Sequence, residues 1–206
     1  MTTVYTLVDK YYLSHDFKNL RDETKAQYKY FMSVFLSTEI DGTCIGDMRY
    51  AKVTTKRAKL CYDIWCDRGI PFANHIMGVA RILFNFALRM EHTTLNPFAS
   101  VRRRATDRRK TVWSREHVKT FLDVAYSDFK TRNIGLIAHM AYAWCQRLGD
   151  MRLLTWDSID FETSRVHIEQ SKRRADVELP IDDDLLDMLK QQEKDFGFQK
   201  YIAPRP

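Results

Sequence analysis

The first hundred residues contain four separate stretches in which apolar side chains recur every three to four positions. The stretches start near four residues: Val4, Arg21, Thr55 and Ile76. This spacing puts the apolar side chains of each stretch on one face of a helix. The last stretch ends before Asn96-Pro97, because a residue that precedes proline avoids the helical region. Residues 1–100 are therefore predicted to form a small all-helical bundle with its own core.

The hydrophobic pattern changes in the second half of the chain. Two helical stretches, the first capped by Ser114, are followed by two short strand-like runs at 165–170 and 176–180. These runs predict a hairpin, and a further helix is expected over about 183–193. Residues 113–206 are thus predicted to mix α and β, which makes the whole chain mainly α with a small β component.

Composition excludes several classes of protein. The 206 residues are 45% apolar and 13% aromatic, which is enough for ordinary buried cores. No run of about 18 apolar residues occurs, and the N-terminus lacks signal-peptide features, so we expect neither membrane insertion nor secretion. The four cysteines form no CxxC pair and accompany no histidine cluster. They are expected to be reduced and mostly buried thiols.

The formal charge of +6 is concentrated in one short block. Residues 1–100 hold 13 basic and 10 acidic side chains, and residues 111–206 hold 14 and 16. Between them, residues 101–110 hold six bases and one acid. Because like charges repel, this block is expected to be an exposed interdomain linker, 101–112, that packs on no core. It is either a merely solvated linker or a strap that follows phosphates, and counterion release from DNA favours the strap.

A second candidate site combines an arginine with a lysine. Arg147 follows a predicted helix, and Lys172 lies at the tip of the predicted hairpin. A buried arginine and a mobile lysine are groups from which a phosphate-activating site can be built. Alternatively, Arg147 ties down a helix C-terminus through its carbonyls, and Lys172 with its neighbours Arg173 and Arg174 forms only a charged hairpin tip.

The pattern around these residues resembles the tyrosine recombinases, the phage integrase family. In the first active-site box of that family, an arginine is followed three residues later by an acid and nine residues later by a tryptophan. Asp150 and Trp156 fill those places after Arg147. Three further segments resemble the strand that ends in the catalytic lysine, the return strand, and the last helix and exit of the core-binding domain: 166–172, 177–180, and 80–87 with Asn96-Pro97.

The resemblance implies a role for each site residue. Arg147 would clamp the non-bridging oxygens of a phosphate, Lys172 would protonate the departing 5′ oxygen, and Asp150 would hold Arg147 in place. Phosphate contacts would come from the basic block and the hairpin tip: Arg102, Arg103, Arg104, Arg108, Arg109, Lys110, Arg173 and Arg174. The resemblance also implies a helical, SAM-like core-binding domain at 1–100, an α+β catalytic domain at 113–206, and no metal or nucleotide cofactor.

Some family elements are missing from the sequence. No His-x-x-Arg box follows Lys172, and Tyr201 lies where a loop is expected, so it is not assigned as the nucleophile. The catalytic domain is therefore expected to be incomplete, with 195–206 as an interrupted end. The implied parent is a phage or prophage recombinase in the cytoplasm of a bacterial host, which binds attachment sites in double-stranded DNA and self-associates there. A non-catalytic DNA-binding regulator and a helical protein-interaction module remain the alternatives.

Overall fold

The computed structural model describes residues 2–107, 110–172 and 174–204. The chain divides into two compact units, Met1–Arg109 (unit 1) and Lys110–Pro206 (unit 2). Each unit has its own hydrophobic core. Among the described residues, no helix is both long enough and apolar enough to cross a membrane.

Unit 1 is helical, as the hydrophobic pattern predicts. Its helices in the described residues are α1 (Val4–Leu13), α2 (His15–Lys18), α3 (Asp22–Leu36), α4 (Thr55–Cys66) and α5 (Ile70–Arg89). The longest helix, α5, packs against α1, α3 and α4. Its apolar face includes Ile76, Leu83 and Phe84, which are fully buried. The core of unit 1 is therefore built around α5.

Two small elements of unit 1 are absent from the sequence prediction. Helix α2 is a single turn that starts where Ser14 accepts a hydrogen bond from the Phe17 amide at 3.3 Å. Strands β1 (Glu39–Ile40) and β2 (Thr43–Cys44) form a hairpin in the predicted loop. Asp41 and Gly42 take φ values of 53° and 72° between these strands. Asp-Gly with two positive φ angles is the turn that a two-residue hairpin requires.

Unit 2 mixes helices with a three-stranded antiparallel sheet in the order β3-β4-β5. Its elements in the described residues are α6 (Arg115–Ser127), α7 (Phe129–Ala143), α8 (Leu148–Arg152), β3 (Ile159–Asp160), β4 (Arg165–Glu169), β5 (Asp176–Pro180) and α9 (Asp183–Phe196). Ser114 caps α6 through a 3.2 Å bond from the His117 amide. Both units together confirm the predicted fold class, mainly α with a small β component.

The segment after α9 packs partly against the core of unit 2. Ile202 and Ala203 are buried, and the Ile202 amide donates to the Leu154 carbonyl at 3.1 Å. Gln192 Nε2 donates to the Ile202 carbonyl at 2.8 Å. These contacts hold Ile202 in the core of unit 2, and hydrophobic periodicity cannot reveal them.

Candidate active site and nucleic-acid interface

Arg147 is the residue that starts α8. Cys145, just after α7, takes a left-handed φ of 51° that turns the chain. The Arg147 carbonyl then accepts from the amides of Asp150 and Met151 at 3.0 and 3.1 Å. As a helix N-cap, Arg147 keeps 44% of its side chain exposed, so the expectation of a buried arginine is wrong. Among the described residues its guanidinium bonds no carbonyl at a helix C-terminus, and its ion-pair partner is Asp150.

Asp150 is the acidic partner of Arg147. Its side chain is only 5% exposed, and Oδ2 lies 3.6 Å from Nη1 of Arg147. This oxygen is buried and accepts no hydrogen bond within the described part of the chain. A buried polar atom without a bond costs about 1–3 kcal/mol. The guanidinium of Arg147 beside it supplies electrostatic compensation.

Lys172 lies in the turn between β4 and β5. This turn is closed by main-chain bonds, from the Gln170 amide to the Ala175 carbonyl at 2.9 Å and from the Arg174 amide to the Gln170 carbonyl at 2.8 Å. Arg174 takes the left-handed φ of 50° that glycine would favour. Lys172 and Arg174 are exposed, and Arg173 lies outside the described residues. Within the described chain Lys172 makes no hydrogen bond or ion pair, so its side chain is free to move.

A pair of glutamines links the two candidate segments. Gln170 Nε2 donates to Gln146 Oε1 at 2.8 Å, and Gln146 Nε2 donates to the Trp144 carbonyl at 3.1 Å. Gln146 directly precedes Arg147, and Gln170 lies two residues before Lys172. The hydrogen bond therefore connects the start of α8 to the hairpin tip. Sequence reasoning missed both glutamines, although each stands beside a residue that it singled out.

Trp144 and Trp156 pack the Arg147 segment and the β4–β5 hairpin against the core of unit 2. Trp144 is buried, and its Nε1 donates to the Pro180 carbonyl at 3.1 Å. Trp156 is half-buried and packs against the core of unit 2. The first tryptophan joins the end of α7 to the end of β5. The hairpin is thus held at its base by Trp144 and near its tip by Gln146.

Two histidines of unit 2 have structural surroundings. His139 Nδ1 lies 3.0 Å from the Tyr126 hydroxyl. Burial lowers the pKa of His139, although Asp182 and Asp184 oppose that effect. His167 is exposed on β4, with Nε2 3.6 Å from Asp176. Neither histidine bonds Arg147 or Lys172 within the described residues.

The basic block is only partly the free linker that the charge pattern predicts. Arg102, Arg103, Arg104 and Lys110 are exposed, whereas Arg108 and Arg109 lie outside the described residues. Val101, however, is only 3% exposed and belongs to the core of unit 1. The Arg104 amide donates to the Tyr62 hydroxyl at 2.7 Å. Charge repulsion keeps the side chains in solvent, but the main chain of 101–104 is fixed to unit 1.

Comparison with protein-family models gives a match that lies in unit 2. Residues 112–201, which include Arg147, Asp150 and Lys172, match the model described as phage integrase family. This segment of the chain is therefore similar to the phage integrases, the tyrosine recombinases. The match covers the two linked segments and the helices that carry them. A search of curated proteins by sequence found no significant match.

Solved structures of integrases share the fold of this chain. A lambda integrase dimer bound to a COC′ core site matches with a TM-score of 0.79 and 20% identity over 98% of this chain and 57% of that chain. A lambda integrase tetramer bound to a Holliday junction matches with a TM-score of 0.80 and 19% identity, over 98% of this chain and 60% of that one.

A transposon integrase gives a similar result. The Tn1549 integrase in complex with a circular intermediate DNA matches with a TM-score of 0.79 and 15% identity, over 95% of this chain and 66% of that chain. At these identities the likeness shows a shared fold alone. The chain spans less than two thirds of these lambda and Tn1549 integrase chains.

Proposed function

We propose that this chain is the DNA-binding part of a phage or prophage tyrosine recombinase, which performs site-specific recombination through a covalent 3′-phosphotyrosyl intermediate. The observation that carries the proposal is the Gln146–Gln170 hydrogen bond, which joins the segments of Arg147 and Lys172. The family assignment of 112–201 and the DNA complexes of the similar integrases support it. The protein would act in the bacterial host cytoplasm and self-associate on its attachment sites.

The proposed chemistry assigns a role to each group. A tyrosine hydroxyl attacks the phosphorus, and the bond from phosphorus to the 5′ oxygen breaks. Negative charge on the non-bridging oxygens is stabilised by the exposed guanidinium of Arg147, which offers parallel donors. Lys172 gives its proton to the leaving 5′ oxygen, which is otherwise strongly basic. Asp150 orients Arg147 and touches no substrate atom.

The 206-residue chain by itself is proposed to bind DNA without cutting it. No histidine follows His167, and no tyrosine of the chain is assigned as the nucleophile. Tyr201 pairs with Thr155 as an isolated β-bridge, away from the hairpin tip in sequence. A second candidate function is that of a regulator that occupies attachment sites without cleaving them.

The test is a covalent-capture experiment with a nicked suicide DNA duplex. We expect the 206-residue chain to retain the duplex in a salt-dependent manner, with no covalent band, and the full open reading frame to form a band. Retention by both proteins without a band would support the regulator. If neither protein retains the duplex in a salt-dependent manner, the recombinase and the regulator are both contradicted. The helical protein-interaction module would then be the remaining alternative.

Arg147→Ala tests the phosphate clamp. We expect it to weaken duplex binding by the 206-residue chain about two- to fivefold, because one phosphate contact is lost. The same change should abolish cleavage in any complete protein. Arg152→Ala is the matched control, since Arg152 is an exposed arginine of the same helix. Equal losses in the two variants would show that only charge matters at this position.

A further inference from the structure

Three hydrogen bonds form a closed ring that holds Arg104. The Arg104 amide donates to Tyr62 Oη at 2.7 Å, Tyr62 Oη donates to Asn74 Oδ1 at 2.8 Å, and Asn74 Nδ2 donates to the Arg104 carbonyl at 3.1 Å. Both main-chain groups of Arg104 are therefore bonded to helices α4 and α5. The Arg104 side chain also pairs with Asp63 at 2.7 Å. The ring sets the direction in which the neighbouring Arg103 leaves the main chain.

Arg103 lies against a glycine in the middle of α5. A Cβ atom at Gly78 would be 3.0 Å from Arg103 Nη2, which is tighter than ordinary van der Waals contact. Glycine is disfavoured inside helices, so its presence here suits the close approach of another group. That group is the Arg103 guanidinium. Gly78 and the ring together define the position of the Arg103 side chain. This position, against Gly78 of α5, is called the seat of Arg103.

The seat carries positive charge without an acidic partner for Arg103. Arg103 is exposed and makes no hydrogen bond or ion pair among the described residues. Burial first, and the nearby Arg103 second, lower the pKa of Arg81. The charge of Arg103 thus acts on Arg81, a repulsion that a bound anion would relieve. Arg103 also borders a cleft of about 190 Å³ whose polar lining includes Gln27, Asn74 and His75.

We propose that Arg103, seated on Gly78 and positioned by the Tyr62–Asn74 ring, is a preorganised binding site for one backbone phosphate of duplex DNA. The proposal rests on the proposed DNA-binding function and names a site for it in unit 1. A seated guanidinium loses little conformational freedom when it binds a phosphate. Arg103 should therefore contribute more to binding than an equally charged neighbour that has no seat.

The test compares variants of the 206-residue chain by fluorescence anisotropy with a mixed-sequence DNA duplex over a range of salt concentrations. We expect Arg103→Ala to weaken binding about tenfold, and Arg102→Ala, which removes the same charge from an exposed neighbour, about threefold or less. Tyr62→Phe keeps every charge and should weaken binding about threefold, with faster hydrogen exchange of the Arg104 amide.

Gly78→Ala tests whether the contact between Gly78 and Arg103 affects DNA binding without a loss of stability in unit 1. Alanine favours the helix, so the thermal midpoint of unit 1 should stay equal or rise while duplex binding falls about threefold. Equal losses for Arg103→Ala and Arg102→Ala, or wild-type binding by Gly78→Ala, would overturn the phosphate site and leave the proposed function intact. If the wild-type chain binds no duplex at any salt concentration, the proposed function and the site both fail.

Discussion

The anchored segment 98–104 of unit 1 and the hairpin tip 170–175 of unit 2 both present cations, but they are held in different ways. Side chains of α4 and α5 bond the main chain of the anchored segment. The hairpin tip is closed by its own main-chain bonds, with the Gln146–Gln170 pair as a side-chain link. If the proposed function holds, the fixed main chain would suit the binding of a phosphate and the exposed Lys172 would suit proton transfer.

Removal of the Arg81 side chain should cause the largest loss of stability, and the loss should fall on the anchored segment of unit 1. Its guanidinium donates to three carbonyls of the anchored segment, those of Phe98 (2.9 Å), Ala99 (3.5 Å) and Val101. Arg81→Met would leave these carbonyls without their charged donor. We expect the free energy of unfolding of unit 1 to fall by about 2 kcal/mol in urea denaturation.

Arg89→Met is the matched control for Arg81→Met. Arg89 lies on the same helix, but 59% of its side chain is exposed and its partner is the exposed Asp16. An exposed ion pair is worth about 0–1 kcal/mol. Equal destabilisation by the two variants would mean that the carbonyl bonds do not hold the anchored segment.

The sequence predicts the two regions to different degrees. Helix α5 follows from its apolar spacing, and the hairpin follows from two alternating runs, because these signals are local. The bonds that fix the anchored segment join residues that are far apart in the sequence. The bonds of Arg104 to Tyr62 and Asn74 span 42 and 30 residues, and the bond from Arg81 to Val101 spans 20. Charge patterning could find the basic block but not the side chains that fix its main chain.

The candidate active site shows the same limit. The spacing of Arg147, Asp150 and Trp156 is readable from the chain and carries the family resemblance. The exposure of Arg147 cannot be read from the sequence, because it depends on where α8 begins. A buried arginine is expected from the sequence, whereas the side chain of Arg147, at the N-cap position, is 44% exposed. Helix boundaries are among the least predictable features of a sequence.

Loss of the glutamine link should have a smaller effect, confined to the hairpin tip. Gln146→Ala removes the acceptor of Gln170 Nε2, so we expect unit 2 to lose about 1 kcal/mol of unfolding free energy. Amide hydrogen exchange over 170–175 should accelerate. Gln191→Ala is the control, since Gln191 bonds Asp195 on the exposed face of α9. Unchanged exchange at the tip would show that the main-chain bonds suffice and that Gln146 positions nothing.

Acidification should cause the smallest loss of stability, and this loss should arise from His139 of unit 2. Burial lowers the pKa of His139 in the folded state, so the unfolded state binds a proton more readily. The contribution of His139 to stability is therefore fully present above its unfolded pKa, about 6.5, is lost as the pH falls through that value, and levels off below the folded pKa. Asp182 and Asp184 favour the protonated form and limit the effect.

Chemical denaturation at a series of pH values checks this prediction for unit 2. Wild-type protein and the exposed-histidine control His167→Gln should lose stability in parallel as the pH falls below about 6.5. His139→Phe should lose less over the same range, whatever its stability at neutral pH, because the titrating group near Tyr126 is gone. The same pH slope in His139→Phe as in wild type would assign the acid sensitivity of unit 2 to other groups.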